Sequence, residues 1–356
     1  MKAFTTEGPP VTDHASSPAV PGRSTLSDVA ALAGVSAKTA SRALNRHPGV
    51  SAETRERVER AAIKLRFRPN GLAKELRSGG KSNVVGLIVA DISNPFFSRL
   101  AAAVESTVVP RGFELVVGST GEDPDREREL VRSFIERRAQ ALLVVPASDD
   151  HSYLQFETAI GTPIVFVDRP PTGLSVDVVM GDDAAAARRA TEELMAAGHV
   201  RIAVLADLPR AWTARERLAG VRAALQHHGL ASDGPLVREG AHTPPLAAEL
   251  MRELLALPEP PTAVLALNNL STLGAMRTLR ETGASLSLVG FDDSDAAELL
   301  DVSVVATDPD DMGRLAAARA LARIDGDTSA PSTHVIPTPL VVRTPFDQPL
   351  AFARKN

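Results

Sequence analysis

Between Ser36 and Asn45 the chain sets out side chains whose chemistry suits a nucleic-acid duplex. Ala37 and Lys38 open a predicted helix running from Ala37 to about Asn45, and Arg42 falls one turn further along the same face. Small and basic residues so placed can reach base edges in a major groove, where Arg and Lys donate to guanine O6 and N7. Thr39, Ser41 and Asn45 add hydroxyl and amide groups suited to phosphate oxygens. A second set lies far downstream, each group at the end of an apolar run: Asp91 with Asn94-Pro95-Phe96-Phe97, Asp168-Arg169, Asn268-Asn269 and Asp292-Asp293. Carboxylates, amides, a guanidinium and aromatic faces that converge suit a polyol. Hydroxyls exchange hydrogen bonds with Asp and Asn, Arg bridges pairs of oxygens, and Phe packs on C–H faces. Each residue also has an ordinary reading. Asp168, Asn268 and Asp292 could cap helices, Phe96 and Phe97 could be core, and Arg217 could be a surface ion pair. Four coincidences at equivalent strand ends favour the site.

The first set needs helices to hold it. Thr25 followed by Asp28 predicts a capping box, with Leu26, Val29, Ala30 and Leu32 as the apolar stripe behind it. Gly34 ends that helix. Ser36 caps the helix carrying Arg42, and His47-Pro48-Gly49 ends it. Ser51 caps a third helix from Ala52 to about Leu65, with Val58, Ala62 and Leu65 on one side. Two helices joined by a short Gly-containing turn form a helix-turn-helix pattern. Beyond Arg68-Pro69-Asn70, the segment Gly71 to Arg77 reads as a helix too short to hold itself in water. It is either a plain linker or a segment that folds on binding, with Leu76 able to wedge into a minor-groove base step.

The second set needs a sheet. Apolar runs recur at Val84–Ala90, Leu115–Gly118, Ala141–Val145, Ile164–Val167, Ile202–Leu205, Ala263–Leu267 and Leu286–Phe291. Runs without alternation, spaced by helical stretches, predict parallel strands buried on both faces in two doubly wound α/β units. Ligands in such sheets bind beyond the carboxyl ends of the strands, where these polar residues fall. No GxGxxG follows a strand and no GxxxxGK[ST] is present, which removes the usual nucleotide-cofactor loops.

Charge separates the two modules. Residues 24–81 carry twelve Lys or Arg against five Asp or Glu, a surplus of +7, in a chain whose net charge is −5. The remainder is therefore −12, so a polyanionic partner is expected for the first module alone. The chain has no cysteine, which excludes disulfides and thiol chemistry and fits a reducing cytosol. Residues 1–23, rich in Pro, Ser and Thr, read as a disordered leader without the apolar core of a secretory signal. No apolar run approaches the ~18–20 residues of a membrane span.

The headpiece residues now bear a specific comparison. Thr25-Leu26-Ser27-Asp28-Val29-Ala30, Ala33-Gly34-Val35-Ser36, Ser41-Arg42, Leu44-Asn45, Val50-Ser51, Pro69-Asn70 and Leu72-Ala73-Lys74-Glu75-Leu76 together resemble the headpiece of the lactose-repressor (LacI/GalR) family. NPFF, VDR, ARERLAG (Ala214 to Gly220), Asn268 before Leu273-Gly274-Ala275-Met276, and VGFDD (Val289 to Asp293) resemble that family's periplasmic-binding-protein-like effector domain. The resemblance runs from residue 25 to about 344. It implies a ligand-responsive transcription regulator, a repressor of carbohydrate-utilisation genes, without enzymatic activity, cofactor or metal. A cytoplasmic, nucleoid-associated homodimer would bind a pseudo-palindromic operator and a small effector, a sugar.

Residue by residue, the resemblance assigns base contacts to Ala37, Lys38, Arg42 and Leu76. It gives phosphate contacts to Leu26, Ser36, Thr39, Ser41, Asn45 and Ser51, and a hinge role to Asn70, Ala73 and Lys74. It implies effector contacts at Asn94, Phe96, Phe97, Asp168, Arg169, Arg215, Arg217, Asn268 and Asp292, with Trp212 edging the pocket and Thr307 facing it. The expected organisation is a leader (1–23), a helix-turn-helix domain (24–68), a hinge (69–83) and an effector domain (84–345). The first subdomain of the latter takes about 84–181 and 307–330, and the second about 182–306 and 331–345, before a tail at 346–356. Asn269 departs from the family's usual Asp, Thr307 from a frequent Gln, and Ser303-Val304 from a common Thr-Thr. These departures leave the fold intact and bear on the effector's identity. A solute receptor would explain the large module but not the headpiece. An enzyme would need a metal cluster or a nucleophile–base pair that no motif supplies.

Overall fold

A computed structural model describes residues 24–67 and 82–350, which belong to two compact units divided after Gly80. The N-terminal unit holds three helices: α1 (Leu26–Ala33), α2 (Ala37–Leu44) and α3 (Ala52–Lys64). The expected caps are present. The Thr25 side chain accepts from Asp28 N while Asp28 reaches back to Thr25 N at 2.7 Å, closing the capping box. Gly34 adopts φ +63°, and Val35 N donates back to Ala30 O at 3.0 Å, which satisfies the carbonyls that α1 leaves open. The core is built mostly of small residues: Val29, Ala30 and Ala33 of α1, Ala40 and Ala43 of α2, and Val58, Ala61 and Ala62 of α3. Leu32, expected in the α1 stripe, is 46% exposed instead. The buried face follows the positions Leu26, Val29, Ala30 and Ala33, and Leu32 sits six residues from Leu26, off that line.

The larger unit contains two six-stranded sheets. The first has the order β11-β5-β4-β3-β1-β2, built from β1 (Val84–Val89), β2 (Glu114–Ser119), β3 (Ala141–Val144), β4 (Ile164–Asp168), β5 (Asp177–Gly181) and β11 (Thr333–Ile336). The second has the order β12-β10-β9-β8-β6-β7, from β6 (Ile202–Leu205), β7 (Val237–Arg238), β8 (Ala263–Ala266), β9 (Ser287–Phe291), β10 (Ser303–Val305) and β12 (Leu340–Val341). Every pairing is parallel except β10 with β12. The central strands are buried on both faces, as their unbroken apolar runs require. On one face of β1, Val85, Leu87 and Val89 share a core with Leu100, Val104 and Ala316. On the other, Ile88 joins Phe134, Leu142 and Phe166. Burying one such side chain stabilises the fold by about 1.5–3 kcal/mol.

Two expected boundaries move. Thr333–Ile336, expected with the second subdomain, pairs with β5 of the first sheet, and the chain crosses only between Ile336 and Leu340. Short strands after a long helix carry little sequence signal about which sheet they extend. Residues 346–350, expected as tail, belong to the second subdomain. Ser287 Oγ donates to Phe346 O at 2.6 Å, and Leu350, 7% exposed, bridges to Leu286. One glycine is dictated by packing: a Cβ at Gly220 would stand 2.0 Å from Ala184 O, because the helices Asp183–Ala196 and Trp212–His227 touch there.

Candidate nucleic-acid interface and ligand cleft

In the N-terminal unit, Ala37, Lys38 and Arg42 are exposed and, with Leu26 and Ser41, line one shallow surface. That surface joins three expected base-reading residues to two expected phosphate partners. Ser36 and Ser51 each spend their hydroxyl on a cap, accepting from Thr39 N at 3.1 Å and Thr54 N at 3.3 Å. Thr39 shares a 2.9 Å hydrogen bond with Ser36, and Asn45 Nδ2 donates to Ser41 O at 2.8 Å. These four stabilise helix ends first, while the backbone N–H groups at each N-terminus remain suited to an anion. Asn70, Ala73, Lys74 and Leu76 lie outside the described residues. The sequence reading missed His47, whose Nε2 lies 3.4 Å from the Arg42 guanidinium while Gly49 N donates to its Nδ1 at 3.2 Å.

In the large unit, a cavity of about 250 Å³ opens at the carboxyl ends of the strands of both sheets. Eight of the eleven expected effector residues line it: Asn94, Phe96, Phe97, Asp168, Arg169, Arg217, Asn268 and Asp292. Phe96 and Phe97 serve both readings at once, since they meet edge to face at 5.2 Å within the core and still present surface to the cavity. Asp168 ends β4 and Asp292 directly follows β9, equivalent strands of the two sheets, and both hold positive φ, +70° and +58°. A non-glycine residue in that region is uncommon and clusters at functional sites.

Three expected residues do not line the cavity. On the Trp212–His227 helix, Arg217 points inward and Thr213, four residues earlier, joins it. Trp212 and Arg215 lie on other faces of the same helix, which is why neither reaches inside. Arg215 is exposed, donating to Arg210 O at 2.6 Å and approaching Asp149 at 3.5 Å. Thr307 is buried beside Gly181 where the chain crosses between the sheets, with an Oγ1 that has no hydrogen-bond partner.

Hydrogen bonding within the cleft is dense. Arg217, 5% exposed, donates to Asp183 at 2.5 Å, to Leu267 O at 2.8 Å and to Asp292 at 3.1 Å. Its guanidinium also stacks 4.5 Å above the Phe291 ring. Arg169 grips Glu122 with two bonds of 2.7 and 2.6 Å and reaches Pro146 O at 3.0 Å. Its Nε lies 3.3 Å from Asp168. Burial pushes the Asp168 carboxyl up to about 7; Arg169 pulls it down, while the nearby Asp183 charge raises it further. Asp292 is raised for the same first reason, with Arg217 opposing. Asn268 caps the Asn269–Thr282 helix through Oδ1 and donates from Nδ2 to Asp207 at 2.6 Å. The two subdomains are tied by reciprocal amides. Asn269 Nδ2 donates to Asn94 Oδ1 at 2.7 Å, and Asn94 Nδ2 donates back at 3.3 Å. The departure from Asp at 269 therefore supplies the donor this pair requires.

Sequence reasoning missed Asp207, Glu122, His242 and Thr243, which also line the cavity. Asp207 follows β6 and Glu122 follows β2, so the strand-end rule could have found both. His242 and Thr243 follow the two-residue β7, which is too short to leave a signal.

A small helix-turn-helix unit with an exposed basic helix, joined to two Rossmann-like lobes around a polar cleft, defines a ligand-sensing transcription regulator. Comparison with known proteins gives the family. Residues 25–70 match the profile described as bacterial regulatory proteins, lacI family. Residues 82–344 match periplasmic binding proteins and sugar binding domain of LacI family. The chain belongs to the LacI family, whose members are DNA-binding transcription regulators and not enzymes. It is 33% identical over 335 residues to the regulator CelR of Thermobifida fusca, covering 90% of this chain and 98% of that one. A solved CelR–cellobiose complex is 32% identical, covers 91% and 100%, and superposes with a TM-score of 0.66. The lac repressor dimer bound to operator and the anti-inducer ONPF is 28% identical, covers 92% and 99%, and gives 0.76. The Cra dual regulator of Pseudomonas putida, solved with fructose 1-phosphate, is 26% identical, covers 74% and 99%, and gives 0.67. Among the described residues no helix is long and apolar enough to cross a membrane.

Proposed function

We propose that the chain is a cytoplasmic homodimeric repressor of carbohydrate-utilisation genes that reads a pseudo-palindromic operator and is switched by a sugar in the cleft. The observation that carries the reading is the pairing of an exposed Ala37–Lys38–Arg42 surface with a cleft whose polar residues come from both sheets. Ala37, Lys38 and Arg42 read base edges, while Ser36, Thr39, Ser41, Asn45 and Ser51, with Leu26 packed alongside, position the helix on the backbone. Leu76, with Asn70, Ala73 and Lys74 around it, orders on DNA and wedges a central base step. In the cleft, Asn94, Asp168, Arg169, Arg217, Asn268 and Asp292 hold ligand hydroxyls, and Phe96 and Phe97 pack its apolar face.

Because Asn94 and Asn269 tie the two lobes together, a ligand that bridges them shifts the balance between lobe arrangements. A change in lobe angle alters the separation of the two hinge segments in a dimer, and with it operator affinity. Electrophoretic mobility shift on the DNA upstream of the chain's own gene, with and without sugars, tests this. Specific retardation that a sugar alters supports the reading, and retardation equal to that on random DNA contradicts it. In the same assay Leu76→Ala should weaken specific binding far more than non-specific binding; equal losses refute its wedge role.

A further inference from the structure

The cleft's charge arrangement says more about its occupant than that it is a sugar. We infer that the effector is an uncharged polyhydroxyl compound and that this cleft rejects phosphorylated and carboxylated sugars. The inference rests on the sugar reading above and sharpens it.

The argument starts from the two buried guanidiniums. A site for a phosphate presents cations with unspent N–H groups, because a phosphate offers acceptors and needs donors. Here both candidates already face carboxylates, although Arg169 Nε makes no hydrogen bond. The two terminal nitrogens of Arg169 lie on the two oxygens of Glu122, and its Nε faces Asp168. Arg217 gives its Nε to Asp183 and both terminal nitrogens to Asp292. Both side chains are only 6% exposed. An anion entering the cavity would compete with these carboxylates for the guanidiniums, and a carboxylate so displaced would be left buried and unpaired, which is strongly unfavourable.

The surplus points the same way. Five carboxylates line the cavity, those of Asp91, Glu122, Asp168, Asp207 and Asp292, against three guanidiniums. Burial already raises the pKa of Asp168, so the space tolerates further negative charge poorly. The third guanidinium, Arg210, is exposed on the rim. His242 donates from Nδ1 to Gly240 O at 2.8 Å. A hydroxyl meets these requirements where an anion does not, because it donates to a carboxylate and accepts from an amide in one group. A cavity of about 250 Å³, below the ~300–1,000 Å³ usual for ligand pockets, also limits the occupant to a small molecule.

The test is isothermal titration calorimetry on the full chain with three arms: ribose, glucose and cellobiose; ribose 5-phosphate, glucose 6-phosphate and inorganic phosphate; and glucosamine. The expected result is saturable binding in the neutral arm, with any phosphorylated counterpart at least about 100-fold weaker. Glu122→Gln, which unties one side of Arg169, should narrow that gap about tenfold. A phosphorylated sugar binding as tightly as its neutral parent overturns the inference and leaves the sugar reading standing. Glucosamine binding more tightly than glucose overturns it as well. Failure of neutral and phosphorylated sugars alike overturns both.

Discussion

Asp168 concentrates the cleft's chemistry in one residue. It ends a buried strand, adopts φ +70°, adjoins Arg169 and ionises near 7 instead of 3.8. Between those two values the folded chain holds a proton that the unfolded chain has released. Stability therefore falls as pH rises from about 4 towards about 7, then levels off. Asp168→Asn, neutral throughout, should remove this component, so urea midpoints measured across that interval should decline less in the variant than in the wild type. Equal declines would show that Asp168 is not the group responsible. At this scale the sequence was informative where a residue's position along a strand fixed its surroundings: Asp168, Asn268 and Asp292 were found because they end apolar runs. It was uninformative where rotation about a helix decides. Arg215 and Arg217 are two residues apart, and only the folded helix shows that one faces solvent and the other lies on Asp183 and Asp292.

Elements hold these residues through contacts that sequence patterns register only in part. The Trp212–His227 helix carries Arg217 into the cleft because Gly220 lets it touch the Asp183–Ala196 helix, which also supplies Asp183. Gly220→Ala gains about 1 kcal/mol of helix propensity. It also drives a Cβ to 2.0 Å from a backbone oxygen, a displacement costing at the upper end of ~1–3 kcal/mol or more. The clash should win, giving a lower denaturation midpoint and a weakened ligand response; a variant as stable as the wild type would mean the helices separate freely. The sheet strands themselves were legible, since burial on both faces writes a continuous apolar run. The assignment of β11 and of residues 346–350 was not. Their membership depends on which edge a short strand meets, and that is decided by the crossover connections and not by the residues within it.

At the scale of the molecule, a +7 segment precedes a remainder of −12, so polyanion affinity belongs to the first unit and ligand chemistry to the second. The LacI family supplies the general logic of such a pairing; the particular arrangement here is a cleft whose two buried guanidiniums are already paired with carboxylates. Coupling between the two units is the central claim. Its most direct test is fluorescence anisotropy of the full chain on an operator duplex recovered by selection from random DNA, at one fixed salt concentration, titrated with a neutral sugar that binds the cleft. Wild type should change its operator affinity by about 5–150-fold on saturation. Asp292→Asn should lose that response, whereas Arg42→Ala should keep it while its preference for operator over random DNA falls. A sugar response undiminished in Asp292→Asn, or a selection that recovers no preferred sequence, would contradict the account.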